Sequence, residues 1–394
     1  MLLEILICLA LGIIIGTMTG LIPGIHINLV GAFLIALSTT IFLKISPIYL
    51  VVFIVAVAIT HTFVDFIPSI FLGCPDTDTE LSILPGHELL RTGFGYEAIL
   101  LTAYGGVAAI FVLTIFSAPS IIFIEKAFNV IKTAIPYILI AASLLLIYLE
   151  KNKFNGLLVF IITGALGWII TKVELNQPLL PLLTGLFGSS TILMSIKNKV
   201  KIPKQKITKP KIKMKLPLIG SFISSLLCGF LPAIGSGQAA IIGNLISRQD
   251  RKGFLFLLGA TNTFIMGFSF MALFAISKTR TGASAITKEL IGQPSWQLLV
   301  LILLIILISG VASFFITKIL AKFFSSRINI INYTILSIIT LGILLVVVGF
   351  VSGILGLAIL LISTFTGIYC ISLGVKRTNM IGCLILPTIL FYLL

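Results

Sequence analysis

Gly20-Leu21-Ile22-Pro23-Gly24-Ile25-His26-Ile27-Asn28 and Gly229-Phe230-Leu231-Pro232-Ala233-Ile234-Gly235-Ser236-Gly237 punctuate two strongly apolar segments in the same way, 209 positions apart. Each puts proline and glycine at what would be membrane depth. Backbone groups freed inside a bilayer are tolerated only where protein or a water-filled cavity satisfies them, so a matched pair of broken helices marks a binding site between two halves. The surrounding composition leaves little room for another class. Of the 394 residues 58% are hydrophobic and only 10% charged, and the mean hydropathy is +1.21, whereas a soluble domain carries roughly 25% charged residues.

Fourteen apolar segments, from 5–19 to 378–394, are candidates to enter the membrane. Those with about 18 or more uncharged residues are long enough to cross a ~30 Å hydrocarbon core. Proline and glycine cut several short, so the sequence predicts an all-α polytopic membrane protein with re-entrant half-helices and roughly ten spans. Met1 to Ala10 carries Glu4 and no basic cluster, unlike a cleaved signal peptide. Five cysteines without a Cys-x-x-Cys pair read as small buried hydrophobes. His26, His61 and His87 lie too far apart, in unlike contexts, for a metal site. No metal, haem or other cofactor is expected.

The net charge of +15 is concentrated rather than spread. Nine lysines fall between Lys197 and Lys215 with no acid among them, and without that run the balance is ordinary. No aromatic residue is interleaved there to stack on bases, so nucleic acid is not the expected partner. By the positive-inside rule the run reads as a cytoplasmic linker beside anionic headgroups. It divides the chain into a first membrane repeat, 1–196, the linker 197–215, and a second repeat, 216–394.

The two halves repeat an order of features. Thr60-His61-Thr62-Phe63 answers to Thr261-Asn262-Thr263-Phe264 at a spacing of 201, and Thr77-Asp78-Thr79 to Thr279-Arg280-Thr281 at 202. A third echo links Thr184-Gly185-Leu186-Phe187 to Thr366-Gly367-Ile368-Tyr369 at 182. Three matches in the same order point to an internal duplication. The second-half hairpin is flanked by the linker and by Arg248, Arg251 and Lys252, whereas its first-half counterpart is flanked by Glu4 and Lys44. This asymmetry predicts inverted-topology repeats.

A helix that restarts within the membrane presents free N–H groups and a partial positive charge, so an anion is its natural occupant. The substrate-binding candidates are therefore Pro23, Gly24, His26 and Asn28 at the first break and Pro232, Gly235, Ser236, Gly237 and Gln238 at the second. The glycines allow close approach to the backbone, and Asn28, Ser236 and Gln238 supply directed hydrogen bonds. Asn262, in the place of His61, and Arg280, in the place of Asp78, are further candidates to line the cavity. Asp65 lies in an apolar run where an unpaired carboxylate would be costly. It is a candidate ion-coupling residue, with a structural carboxylate the competing reading. Asp76, Thr77 and Asp78, in a turn with Thr79 and Glu80, offer oxygen ligands suited to a coupling cation, Na+ or H+. Glu88 and Glu97 read as solvated loop residues.

Gly20-x-x-Pro23-Gly24, Phe71-Leu72-Gly73-Cys74-Pro75-Asp76, Leu84-Pro85-Gly86-His87, Leu183-Thr184-Gly185-Leu186-Phe187-Gly188 and Gly374-Val375-Lys376-Arg377-Thr378 with Leu386-Pro387 resemble the large permease subunit of tripartite tricarboxylate transporters, in its archaeal-type branch. The resemblance covers essentially the whole chain. It departs from better-known members at Pro232-Ala233, where they carry a second Pro-Gly, and at His26 and Asn28, where they continue with glycine and proline. The resemblance implies a multi-pass permease of the cell membrane, not an enzyme. Such a permease moves di- or tricarboxylates by alternating access, with a small membrane subunit and an extracytoplasmic binding protein as partners. A homodimer is a further expectation. The other reading kept open is a lipid-phosphate transporter carrying polyprenyl phosphate, since a helix N-terminus suits phosphate as well as carboxylate.

Overall fold

The computed structural model describes residues 2–22, 27, 30, 31, 34, 45–73, 78–175, 177–197, 202–210, 213–231, 235–328 and 333–394. Among these the regular elements are all helical. They are α1 (Leu2–Leu21), α2 (Pro47–Val64), α3 (Phe66–Leu72), α4 (Ile83–Arg91), α5 (Gly95–Ile115), α6 (Ser117–Tyr148), α7 (Lys153–Thr171) and α8 (Leu179–Lys197) before the linker. After it come α9 (Lys215–Cys228), α10 (Ser236–Ser247), α11 (Arg251–Ile276), α12 (Gly282–Ile291), α13 (Trp296–Arg327), α14 (Tyr333–Ser372) and α15 (Gly382–Leu393).

Long apolar runs fold this way because a helix satisfies every backbone group within one segment. Polar residues mark their starts. Asn152, Asp250, Thr281 and Ser295 each accept a hydrogen bond from a backbone N–H in the first turn of the helix that follows. Among the described residues nine helices are long and apolar enough to cross a membrane. In the last of these α14 reverses at Gly353, whose φ of 64° is left-handed. Val348 and Leu360 are buried together against Leu180, and a Cβ placed on Gly349 would lie 3.5 Å from Leu357 Cδ1. An uninterrupted helix would separate those two residues by about 12 Å, so the limbs of α14 are separate spans. The protein is an all-α polytopic membrane protein, with roughly the expected number of crossings.

The two halves interleave rather than sit side by side. Helix α5 of the first half runs along α11 of the second so closely that a Cβ on Gly105 would overlap the Phe256 carbonyl oxygen, and one on Gly259 that of Thr102. The reciprocal pair is α2 with α13, joined where Ser313 Oγ donates to Thr60 Oγ1 at 3.0 Å. Likewise α7 meets α15 at Gly167, against the Cys383 carbonyl. Helix α8 meets the second limb of α14, where a Cβ on Gly185 would lie 2.8 Å from Leu360 O and one on Gly367 2.6 Å from Leu186 O. The third echo seen in the sequence therefore brings together two segments that pack on one another. Small residues drive such contacts, since lipid supplies no hydrophobic force between helices. Gly259→Val is expected to separate α5 from α11 and lower the melting temperature in detergent by several degrees; an unchanged value would contradict the packing.

The linker is fastened to the first half. Lys206 N–H donates to Gly93 O at 2.7 Å, Gly95 N–H to Gln205 Oε1 at 2.7 Å, and Gln205 Nε2 to Leu90 O at 3.0 Å. Next to it Glu88 of α4 and Glu97 at the start of α5 dock on the basic start of α11, Glu88 with Arg251 at 2.6 Å and Glu97 with Lys252 at 2.7 Å. Glu97 is buried, which corrects its reading as a solvated residue. Glu97→Gln is expected to cost about 1–2 kcal/mol, because the half-exposed Lys252 keeps part of its solvation. Thermal unfolding in detergent reads this as a lower midpoint.

Candidate functional site

At the second break, α9 stops at Cys228 and the chain restarts at Ser236 with Gly235 extended at φ −83°, ψ 171° as the residue before the helix. Gly235 N–H donates to Gln238 Oε1 at 2.6 Å, so Gln238 folds back over the free end of its own helix. Ser236 Oγ donates to Asp78 Oδ1 at 2.6 Å. A Cβ on Gly237 would overlap Glu80 Oε1 and lie 3.1 Å from Ile381 Cδ1. The first-half loop thus lays two carboxylates on the first turn of a second-half helix, where the helix dipole favours negative charge. Close approach to the Gly237 backbone was expected of a ligand; in the structure the Glu80 side chain makes it.

The two halves hold their loops with the same device. Ser69 Oγ shares a 2.6 Å hydrogen bond with Thr79 Oγ1 and donates to Asp65 O at 2.8 Å. Two hundred positions later Ser269 Oγ accepts from Arg280 N–H and Thr281 N–H, each at 3.0 Å, and from Thr281 Oγ1 at 3.2 Å. A serine one helix back therefore fixes a threonine in each half, and the residue before that threonine is Asp78 in one case and Arg280 in the other.

These loops meet in a cavity of about 980 Å³. Its lining includes Ile27, His61, Asp65 and Asp78 from the first half and Gly235, Gln238 and Arg280 from the second. Asp65 and His61 are each 4% exposed. Asp65 sits at the turn between α2 and α3, and His61 Nδ1 lies 3.1 Å from Thr19 Oγ1. Asp78 is the acidic neighbour of Arg280. The same cavity is lined by Trp168 and the exposed Lys172, whose ammonium lies over the Trp168 ring 4.4 Å from its centre. Asn262 is buried and does not line this cavity, whereas His61 does. Pro23, Gly24, His26, Asn28, Asp76, Thr77 and Pro232 lie outside the described residues. Sequence reasoning missed Lys172 and the two serines, and read Glu80 with Asp76 and Asp78 as an oxygen ligand of a cation-binding turn rather than as a residue of a second cavity. The serine pair had a signal in its spacing of 200, one short of the 201 that relates His61 to Asn262.

A second cavity of about 500 Å³ includes Glu80, Leu149, Arg251 and Arg377. Leu149 precedes α7, whose other end, Trp168 to Thr171, borders the first cavity. The two cavities therefore open toward opposite ends of a helix about 28 Å long. An arrangement with a polar centre and a cavity on each side can pass a small charged solute.

The family described as Tripartite tricarboxylate transporter TctA matches residues 6–382. An uncharacterized protein of Methanocaldococcus jannaschii is 32% identical over 402 aligned positions, covering 98% of this chain and 99% of that relative. No solved structure matches the chain.

Proposed function

Because the chain belongs to the tripartite tricarboxylate transporter TctA family, we propose that it is a permease carrying small organic anions, di- or tricarboxylates, across the cell membrane. The single observation that carries this reading is Arg280. It is held at the wall of a cavity between the halves by backbone hydrogen bonds to Ser269, with Gly235 and Gln238 of a broken helix beside it. A guanidinium in such a position recognises a carboxylate in a planar, directed way. The reciprocal helix contacts and the two opposed cavities support two inverted repeats that rock about this centre, opening it to each side in turn. The basic linker and Arg251 then face the cytoplasm. Asp65 and Asp78 are the described carboxylates placed to carry a coupling cation, Na+ or H+. Membership of a tripartite family supports a small membrane subunit and an extracytoplasmic binding protein as partners.

Uptake by proteoliposomes of labelled citrate and of smaller carboxylates, with sodium and proton gradients imposed separately, tests the reading. Accumulation of at least one carboxylate under one gradient is expected. Silence toward every carboxylate, together with movement of a polyprenyl phosphate, would overturn it.

A further inference from the structure

Two residues apart on the loop before α4, Asp78 borders the larger cavity and Glu80 the smaller one. Thr79 between them is turned to Ser69. Both carboxylates meet the same helical turn, Asp78 at Ser236 and Glu80 at Gly237. Glu80 is 1% exposed, more deeply buried than a residue of a solvated turn would be, and nothing in the route from the larger cavity to Arg280 uses it.

We propose that Glu80 is the proton-carrying carboxylate on the cytoplasmic side of the coupling route. This rests on the transporter reading. The O–H bond of protonated Asp78 breaks as a Glu80 carboxylate oxygen takes the proton, leaving Asp78 ionised. As the smaller cavity opens, the Glu80 O–H bond breaks and the proton passes to water there, returning Glu80 to its charged form. No electrons are transferred. Glu80 shares its cavity with Leu81, Ile83, Phe187 and Ile241, and its carboxylate lies against Gly237 of α10. The charged groups sharing its cavity are Glu88 from α4, Asp250 and Arg251 at the start of α11, and Lys376 and Arg377 before α15. The Cys383 thiol of α15 is close enough to feel the Glu80 charge.

Glu80→Gln separates coupling from substrate passage. In proteoliposomes the variant is expected to lose proton-driven accumulation of carboxylate at least tenfold, while gradient-free exchange of labelled for unlabelled carboxylate stays within about twofold of wild type. Glu80→Asp is expected to recover part of the driven uptake. Wild-type accumulation by Glu80→Gln would overturn the proposal. So would loss of exchange along with uptake, which would make Glu80 a structural or substrate-binding group. Wild-type transport driven by sodium and indifferent to a pH gradient would also refute it while leaving the transporter reading intact. A wild-type protein inert to every carboxylate would instead remove the reading on which it rests.

Discussion

Arg280→Gln is expected to lower carboxylate uptake more than tenfold while leaving the protein folded. The loop that carries Arg280 is held through its backbone, by Ser269 accepting from the N–H groups of Arg280 and Thr281. Removing the guanidinium therefore spares the scaffold and strips the cavity of the cation nearest its broken helix. Truncating one member of a desolvated, hydrogen-bonded charge pair costs roughly 2–5 kcal/mol, or about 30- to several-thousand-fold. Arg280→Lys keeps the charge but not the planar fork and should fall in between. Uptake rates at a substrate concentration well below saturation, with melting temperature as the fold control, check both variants. Equal uptake by wild type and Arg280→Gln would remove Arg280 from the site.

Gly237→Val should abolish uptake for a different reason. A Cβ at this position overlaps Glu80 Oε1 and approaches Ile381 Cδ1 to 3.1 Å. The overlapped atom is the end of a flexible side chain, so the carboxylate shifts before the helix does. The loss therefore falls on transport more than on folding. Even Gly237→Ala should displace Glu80 and cut uptake severalfold. Gly235→Ala is the milder comparison, since its φ of −83° suits any residue and its Cβ would press at 2.7 Å only on Gln238 Oε1. Transport assays beside size-exclusion profiles distinguish the cases, and normal uptake by Gly237→Val would contradict the close packing at this turn.

Much of the architecture was legible because membrane chemistry writes itself plainly into sequence. Uncharged runs must be helices, and proline with glycine in the middle of one must be answered by protein or water. The register of about 201 could be read where chemistry was kept, as in Thr60-His61-Thr62-Phe63 and Thr261-Asn262-Thr263-Phe264. The third echo, at a spacing of 182, lies outside that register. Gly185 and Gly367 carry similar neighbours because each lets one helix cross another, and they cross each other.

At the site, the opposition of Asp78 and Arg280 could be seen from their matched positions, but what holds them could not. Ser69 and Ser269 sit in apolar stretches where a serine commonly bonds its own helix, and only the fold brings each to the following loop. Glu80 was visible as one acid of an alternating run; that it borders a second cavity while Asp78 borders the first shows only once both are seated on the first turn of α10. The same limit applies to His61 and Asn262, equivalent in sequence, of which His61 alone lines the larger cavity.

The central claim, a carboxylate passing through the cavity beside Arg280, is tested most directly by counterflow. Proteoliposomes preloaded with unlabelled citrate or succinate, with no ion gradient, are diluted into labelled substrate and the internal label is followed in time. Transient accumulation of label by the wild-type protein, absent in Arg280→Gln, is the predicted result. No counterflow with any carboxylate, or an overshoot in Arg280→Gln equal to that of wild type, would contradict the account.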